Sequence, residues 1–283
     1  MNTREVIASF MADRKLRGLS PKTLEGYDSH CKQLIRLSPQ FPPKPEIVQE
    51  FLAGIKGVYN QDGHFRTFRA VDNFAHKRFK TKNFMKSVTR PRIPKQIMPT
   101  ISDLELNLLA AFLQDASPRD KAIMCLFIDT AIRKGEAVNL KREDIKEDRI
   151  IVQGKTGYRV APISSMTREL LLSLPVKEDG FVFHGEDSHV NQRLKATGFY
   201  KVVRRYLRLV GYSGKQASPQ ILRRSYGVFH LKDGGDLKFL SLILGHSNIT
   251  TTANYYTPLL TEDVIAIHHK HTPIKAFEEV NAE

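Results

Sequence analysis

The chain has 283 residues, 41% of them hydrophobic, with 44 lysines and arginines against 30 aspartates and glutamates and a formal net charge of +14 at pH 7. This length predicts two domains with ordinary cores. Two cysteines in apolar surroundings exclude a disulfide framework or a cysteine-rich metal site and indicate a reducing compartment. No apolar leader or run of about 18 apolar residues is present, so we expect no membrane contact.

The positive charge is concentrated near the N-terminus. Residues 1–100 hold 19 lysines and arginines against 8 acids, whereas residues 101–283 hold 25 against 22. A surface of this kind suits DNA or RNA, although a solvated face or a basic linker is the alternative. The candidate residues for binding DNA or RNA come from an acid-free stretch and are Lys77, Arg78, Lys80, Lys82, Lys86, Arg90 and Arg92.

Helical patterns fill the first 88 residues. Ser20 and Pro21 predict a helix start, with serine as N-cap and proline in the first turn. Two further amphipathic helices are predicted over 47–55 and 68–75, the latter leading into the basic stretch. We therefore expect a small helical domain with a positive face over 1–88, and the prolines of residues 89–100 indicate a stiff basic linker.

A second domain, residues 101–283, is predicted to begin at the capping box of Ser102 and Glu105. A helix with a buried face follows over 123–131, and β-like runs over 148–153 and 158–163 predict a hairpin. Phe181–Phe183 is predicted as one further short strand. From His189 onward the patterns are helical, with breaks at glycine-rich stretches.

Two motifs are set aside. Gly154-Lys155-Thr156 is not a phosphate-binding P-loop, because that motif needs a glycine at position 149, which is Arg149, and a strand and a helix rather than a hairpin. The three histidines at 268, 269 and 271 lack accompanying acids or cysteines, so a solvated tail is the better interpretation than a metal site.

The stretch Leu244–Tyr256 places a tyrosine nine residues after a Gly-His pair. A short helix is predicted from about Ile249, with Ser247 or Asn248 as N-cap. Taken alone, the stretch is explained equally well as a capped helix with an exposed tyrosine and no chemical role. Its three threonines, residues 250–252, are predicted to be spacers that cap or pack the helix.

Together with Asp129–Glu136 and Pro219–Ser225, this stretch resembles the ordered boxes of the tyrosine recombinase, or phage integrase, family. The matching positions are Arg133 and Glu136 in the first box, Lys155 in the hairpin, Gln220 and Arg223 in the His-x-x-Arg box, His246 in the Leu-Gly-His box and Tyr255 at the nucleophile position. Gln220 departs from the family, which usually has histidine there.

The resemblance implies a mainly α fold with a small antiparallel β-sheet in the catalytic domain, residues 101–283. Residues 1–88 would be the helical core-binding, or DNA-binding, domain, and the two domains would form a C-shaped DNA clamp. Tyr255 would attack a DNA phosphodiester and form a 3′-phosphotyrosyl link without ATP. Arg133 and Arg223 would hold the charged phosphate oxygens, because guanidinium is always charged and can bind two oxygens at once. Lys155 would protonate the leaving 5′-oxygen, and His246 would hydrogen-bond the phosphate or the tyrosine.

The implied activity is site-specific DNA recombination or integration, as in a mobile element. The partners would be double-stranded DNA and further copies, as a tetramer on paired sites; the resemblance implies no cofactor and no metal. A cytoplasmic location follows, on the nucleoid in a prokaryote. A tail helix from about Thr261 is predicted to dock on a neighbouring protomer or to fold back on its own domain. The alternative function, kept open by Gln220, is a weak or inactive DNA-binding accessory protein of the same fold.

Overall fold

The computed structural model describes residues 1–94, 99–154, 157–185 and 192–256. The chain divides into two compact units, Met1–Gln96 and Ile97–Glu283. The C-shaped clamp and the domain limits at residues 88 and 100 stay predictions. Lys155 and the tail after Tyr256 lie outside the described residues. None of the helices in the described ranges is long and apolar enough to cross a membrane.

The first unit is helical throughout its described part. Its helices are α1 (Thr3–Leu16), α2 (Pro21–Leu37), α3 (Pro45–Gly54) and α4 (Val58–Phe79), followed by a 3₁₀ turn at Phe84–Ser87. As predicted, Ser20 caps α2 by accepting a hydrogen bond from the Thr23 backbone N–H at 3.4 Å. The core is built from buried side chains of all four helices, including Phe10, Leu34, Leu52 and Phe68.

Helix α1 was not predicted from the sequence, although its determinants are present. The Asn2 side chain caps it by accepting from the Arg4 N–H at 2.8 Å. Val6, Ile7 and Phe10 then lie on one buried face, as the helical period requires.

The predicted linker begins on the first unit. The Thr89 N–H donates to the side chain of Gln49 at 2.7 Å, and the Arg90 guanidinium lies 2.9 Å from Asp62. These contacts tie residues 89 and 90 to α3 and α4, so this part of the linker is anchored to the helical unit rather than free.

The second unit is mainly helical with one two-stranded sheet, which confirms the predicted fold class at that level. Its helices are α5 (Asp103–Phe112), α6 (Pro118–Thr130), α7 (Lys134–Val138), α8 (Ser165–Leu172), α9 (Ala196–Leu209), α10 (Pro219–Lys232), α11 (Leu237–Leu244) and α12 (Ile249–Tyr256), with a 3₁₀ turn at Arg142–Asp144. Strands β1 (Arg149–Gly154) and β2 (Gly157–Pro162) pair antiparallel, with Arg149 opposite Pro162 and Gly154 opposite Gly157.

Two local predictions have different outcomes. The capping box is present, because the Ser102 N–H donates to Glu105 at 2.8 Å and the Glu105 N–H donates to Ser102 at 3.3 Å. The prediction of a strand at Phe181–Phe183 is wrong, because the segment forms an isolated bridge to Lys141 rather than a ladder of paired residues. Its backbone makes hydrogen bonds with two different segments. The Val182 N–H donates to the carbonyl of Leu140, and the carbonyl of Phe183 accepts from the N–H of Leu194.

Two buried clusters support the unit. The larger surrounds α6 and includes Phe127, Phe183 and Phe199, with edge-to-face contacts between the rings. The smaller lies among α10, α11 and α12 and contains Ala131, Val228, Leu240, Leu244 and Tyr256. The chemically interesting side chains lie beside this smaller cluster.

Candidate active site

The first arginine of the site is set by a sharp turn at the end of α6. Ala131 adopts the left-handed conformation, with φ of 50°, and the next helix begins with Arg133 as its N-cap. Glu136 accepts from the Arg133 backbone N–H at 2.8 Å and from its Nη1 at 2.9 Å. Glu136 therefore fixes the guanidinium of Arg133.

A second arginine, Arg159 on β2, shares this carboxylate and was missed in the sequence. Its Nε and Nη2 lie 3.2 and 2.7 Å from the two carboxylate oxygens of Glu136. The available signal was the strand period, because Arg159 lies on the same face of β2 as buried Ala161. Although burial works against its charged form, the hydrogen bonds and charge of Arg159, together with the hydrogen bonds of Arg133, hold the pKa of Glu136 below its usual value.

The C-terminal end of α11 is the meeting point of three arginines. Backbone carbonyls at a helix C-terminus have no partner within the helix and carry the negative end of its dipole. Three consecutive carbonyls each accept from a different guanidinium: Ile243 from Arg159, Leu244 from Arg223, and Gly245 from Arg133 at 2.9 Å. The end of α11 thereby binds three arginines, from β2, from the start of α7 and from α10. They lie up to 90 positions apart in the sequence.

Gly245 makes this convergence possible. It ends α11 with φ of 61°, in the left-handed region that favours glycine. A Cβ there would lie 2.5 Å from Cδ of Arg159 and 3.3 Å from Nη1 of Arg133. The position therefore needs glycine both for its backbone and for the space that the arginines occupy.

Arg223 and His246 lie next to each other in the site. Arg223 donates to the carbonyl of Ala131 at 2.5 Å, and its Nη2 lies 3.5 Å from Nε2 of His246. Burial, together with the charges of Arg133 and Arg159, lowers the pKa of Arg223 to about 10. The surroundings therefore stabilise the charged form of Arg223 only weakly. An anion bound beside the guanidinium would stabilise that charged form further.

His246 is neutral at pH 7 in this environment. Burial and the neighbouring arginines, Arg223 first among them, lower its pKa to about 4. Its Nδ1 lies 2.8 Å from the hydroxyl of Thr252. Because arginine only donates, the tautomer that suits both contacts has the proton on Nδ1 and a lone pair on Nε2. Thr252 is thus a partner of the histidine as well as a buried spacer.

The arginines border two open spaces. A cavity of about 640 Å³ is lined by Arg133, Glu136, Gly245 and His246, and one of about 450 Å³ by Arg133, Gln220 and Arg223, among others. Gln220 is exposed in the first turn of α10, where its carbonyl accepts from Nε of Arg224 at 3.1 Å. A larger cavity of about 1010 Å³ among α5, α6, α8 and α10 contains none of these residues.

The two tyrosines of α12 have different environments. Helix α12 begins at Ile249, as predicted, and Asn248 accepts from the Thr250 N–H at 2.8 Å. Tyr255 is 43% exposed, whereas Tyr256 is 2% exposed and its hydroxyl lies 3.4 Å from the carbonyl of Arg223. Only the first of them has a side chain accessible to a macromolecular substrate.

Apart from exposed Tyr255, the predicted site residues separate into three groups. Arg133, Arg223 and His246 come together, and Gln220 borders a cavity shared with both arginines. Lys155 lies outside the described residues, although Gly154 and Gly157 on either side of its turn are paired. The predicted DNA-binding side chains of the first unit are all exposed.

Comparisons with known proteins identify the family of this chain. The model of the phage integrase family matches residues 100–262. The tyrosine recombinase XerA of Thermococcus onnurineus (strain NA1) is 24% identical over 97% of this chain and 98% of its own length. The tyrosine recombinase XerD of Vibrio cholerae serotype O1 is 26% identical over 195 residues, which are 65% of this chain and 64% of that protein.

The fold also matches a solved structure, that of the Tn1549 transposon integrase in complex with circular intermediate DNA. The TM-score is 0.69 at 19% sequence identity, over 90% of this chain and 95% of that one. The family match covers more than half of the sequence and includes each box that carried the resemblance. The two relatives named above are tyrosine recombinases. The chain belongs to the phage integrase family.

Proposed function

We propose that this protein is a site-specific DNA recombinase that cuts and rejoins strands through a 3′-phosphotyrosyl intermediate on Tyr255. The observation that carries the proposal is the convergence of Arg133, Arg159 and Arg223 on the end of α11, beside neutral His246, where one buried carboxylate, Glu136, holds the first two of them. Three guanidinium charges against one carboxylate leave a positive site open to a cavity. A phosphodiester, whose charge grows in the transition state, suits that site.

The cleavage step uses these residues as follows. The phenolic oxygen of Tyr255 attacks phosphorus and forms a P–O bond, while the bond from phosphorus to the 5′-oxygen breaks. Arg133 and Arg223 donate to the non-bridging oxygens, and Lys155 gives a proton to the departing 5′-oxygen. A 5′-hydroxyl from a second strand then reverses the step, so the phosphodiester is restored without external energy.

The proton of Tyr255 needs an acceptor, and we assign that role to His246. Its Nε2 carries the lone pair, and the low pKa leaves it unprotonated at pH 7. Bound phosphate adds negative charge beside the ring, which raises the affinity of the imidazole for a proton. Gln220, which cannot titrate, would donate an amide hydrogen bond to a phosphate oxygen.

The partner would be double-stranded DNA. The exposed side chains of Lys77, Arg78, Lys80, Lys82, Lys86, Arg90 and Arg92 would contact backbone phosphates. Of these, Arg90 also pairs with buried Asp62, so its position is fixed on the helical unit before DNA arrives. Action on chromosomal or mobile DNA places the protein in the cytoplasm, on the nucleoid of a prokaryotic host.

Exchange between two duplexes breaks four strands, and one Tyr255 can hold only one of them. We therefore propose a tetramer on paired sites, with the segment after Thr261 as its assembly element. Deletion of the chain after Pro258 is expected to abolish pairing of two sites while single-site binding persists. If paired complexes still form and still cleave, the tail is not an assembly element.

The test of the proposed function is adduct formation on a nicked DNA substrate, which releases the short cleaved strand and so traps the intermediate. Wild type should form an adduct stable to denaturant, and Tyr255→Phe should form none while binding DNA normally. Specific binding without an adduct at any pH between 6 and 9 would instead support the accessory DNA-binding protein.

A further inference from the structure

We propose that the cavity of about 450 Å³ beside Arg133 and Arg223 is a second phosphate site, which holds the phosphate next to the scissile one on the cleaved strand. Its ligands are Lys134 and Lys215, and Tyr200 is the residue that positions Lys134. The inference rests on the proposed function, because the place of the scissile phosphate determines which phosphate comes next.

The lining of this cavity is cationic. Among the described residues that line it are four cationic side chains and no carboxylate, the cations being Arg133, Lys134, Lys215 and Arg223. The neighbouring cavity of about 640 Å³ differs, because Glu136 lines it. Within the described ranges neither lysine forms an ion pair with an acid, so the protein itself does not compensate their charges.

Lys134 is directed away from the arginine that precedes it. Arg133 donates to the carbonyl of Gly245 at the end of α11, whereas Nζ of Lys134 lies 5.7 Å from the ring centroid of Tyr200 on α9. That distance is typical of a cation–π contact. Such a contact holds the ammonium group without engaging a carboxylate, so the charge of Lys134 stays available to an anion at the cavity wall.

The N-terminus of α10 opens on the same cavity, because Ser218 and Pro219 line it. Ser218 is the N-cap residue, but its side chain makes no capping hydrogen bond, whereas Asp236 at the start of α11 accepts from two backbone N–H groups. The first N–H groups of a helix carry the positive end of its dipole and favour anions. The helix end therefore adds to the field of the two lysines.

The geometry of DNA explains why the neighbouring phosphate is the occupant. Arg133 and Arg223, which would hold the scissile phosphate, also line this cavity. Successive phosphates of one strand are separated by only about 3.4 Å along the duplex axis. The next phosphate of the same strand is thus the nearest further negative charge, and lysine binds a phosphate as a point charge without demanding one orientation.

The experiment removes one charge at a time from the DNA. A methylphosphonate, in which a methyl group replaces one charged oxygen, is placed at either phosphate that flanks the scissile one, or at a distal phosphate as a control. The nick of the substrate lies outside these positions. Dissociation constants and single-turnover cleavage rates are measured for the full chain as wild type, Lys134→Gln, Lys215→Gln and the double variant. The matched protein control is Lys146→Gln, an exposed lysine elsewhere in the second unit.

With wild type, one of the two flanking methylphosphonates should weaken binding by on the order of ten-fold or more, as loss of a hydrogen bond to a charged group does. The double variant should bind ordinary DNA more weakly and lose little further with that methylphosphonate, because both changes remove the same contact. Lys146→Gln should keep the full wild-type sensitivity. Tyr200→Leu, which removes the ring under Lys134, should reduce the sensitivity, and Tyr200→Phe, which keeps the ring, should retain it.

The outcomes separate this inference from the function on which it rests. If wild type cleaves but the double variant is as sensitive to each flanking methylphosphonate as wild type is, the second phosphate site is wrong and the recombinase stands. Coupling of the lysines to the distal phosphate instead would also overturn the site. If wild type binds its DNA and forms no adduct, the proposed function fails, and the coupling measured in the dissociation constants still decides whether the cavity holds a phosphate.

Discussion

The ring of Tyr256 occupies the space beside Gly227, where a Cβ would lie 2.3 Å from Cε1 of the tyrosine. Any side chain on α10 at that point would displace the ring. Tyr256 is therefore a core residue that anchors α12 to α10, and burial raises the pKa of its hydroxyl to about 12. Because α12 is held by this contact, its neighbour Tyr255 is left on the accessible side of the helix.

This relationship predicts opposite results at the two tyrosines. Tyr255→Phe should abolish the covalent adduct without loss of stability, because the side chain is exposed. Tyr256→Phe should keep the adduct and lose less than about 1 kcal/mol of unfolding free energy, since it removes only one long hydrogen bond. Mass spectrometry of the trapped DNA-peptide adduct provides the measurement, and a label on Tyr256 would contradict the assignment.

Gly245→Ala should be far more damaging than its backbone conformation alone requires. The left-handed conformation costs an alanine about 1–2 kcal/mol, and the new Cβ would also press on Arg159 at 2.5 Å. We expect a larger loss of stability together with a large loss of cleavage. Gly214→Ala is the matched control, because φ there is 56° and a Cβ would meet nothing within 4 Å.

The comparison is made by thermal unfolding and adduct formation on both variants. Gly214→Ala should show the backbone cost alone and keep its cleavage rate. Equal effects of the two substitutions on cleavage would mean that crowding of the arginines is not what makes Gly245 necessary.

The basic stretch of the first unit should provide much of the salt-dependent affinity for DNA. Replacing Lys80, Lys82 and Lys86 together by glutamine should reduce the slope of log K against log[salt] by about 0.9 for each phosphate that the variant no longer neutralises. These side chains are exposed, so folding should be unaffected. Lys146→Gln, an exposed position in the second unit, is the control. Unchanged slopes for the triple variant would place the phosphate contacts elsewhere.

Local sequence rules were sufficient wherever neighbours in the chain determine the structure. The cap at Ser20, the capping box at Ser102 and Glu105 and the start of α12 at Ile249 all depend on residues within three or four positions. The family boxes likewise identified Arg133, Arg223 and His246, because each box is a short run with fixed spacing. The hairpin followed from two β-like runs around a turn.

The features that the sequence did not predict depend on contacts between separate elements of the fold. No local pattern indicates that Arg159 donates to Ile243, 84 positions later, or that Thr252 supports His246. The failure at Phe181–Phe183 has the same origin, since β-rich residues form a ladder only where one partner strand is available. Sequence spacing identified residues of the site, whereas tertiary hydrogen bonds determine which of them support the others.

The depressed pKa of His246 predicts an acid-sensitive fold. In the unfolded chain a histidine titrates near 6.5, and in the folded protein this one titrates near 4. Between these values the unfolded state binds more protons, so the stabilisation is complete above pH 6.5 and is lost as the pH falls toward 4. His246→Gln should therefore show a shallower fall of Tm over that range than wild type. Identical slopes would contradict a buried neutral histidine.

We expect the residue at position 220 to limit the rate of cleavage. The family usually has histidine at this position, and glutamine cannot accept the tyrosine proton. A free tyrosine side chain has a pKa of about 10, so roughly one part in a thousand is ionised at pH 7. General-base assistance is typically worth about 10²–10⁴-fold, and His246 is left as the acceptor. We expect an active but slow enzyme.

Substitutions at this position test that expectation without disturbing the fold, because Gln220 is exposed in the first turn of α10. In single-turnover cleavage of a nicked substrate between pH 6 and 9, Gln220→Ala should lose further rate, and Gln220→His should hold or raise it. If Gln220→Ala cleaves as fast as wild type, the amide contributes no bond to the phosphate and the proton leaves by a route that involves His246 alone. If only Gln220→His forms the adduct, the natural protein binds DNA without cutting it, because the position that should complete the proton path has no titratable group.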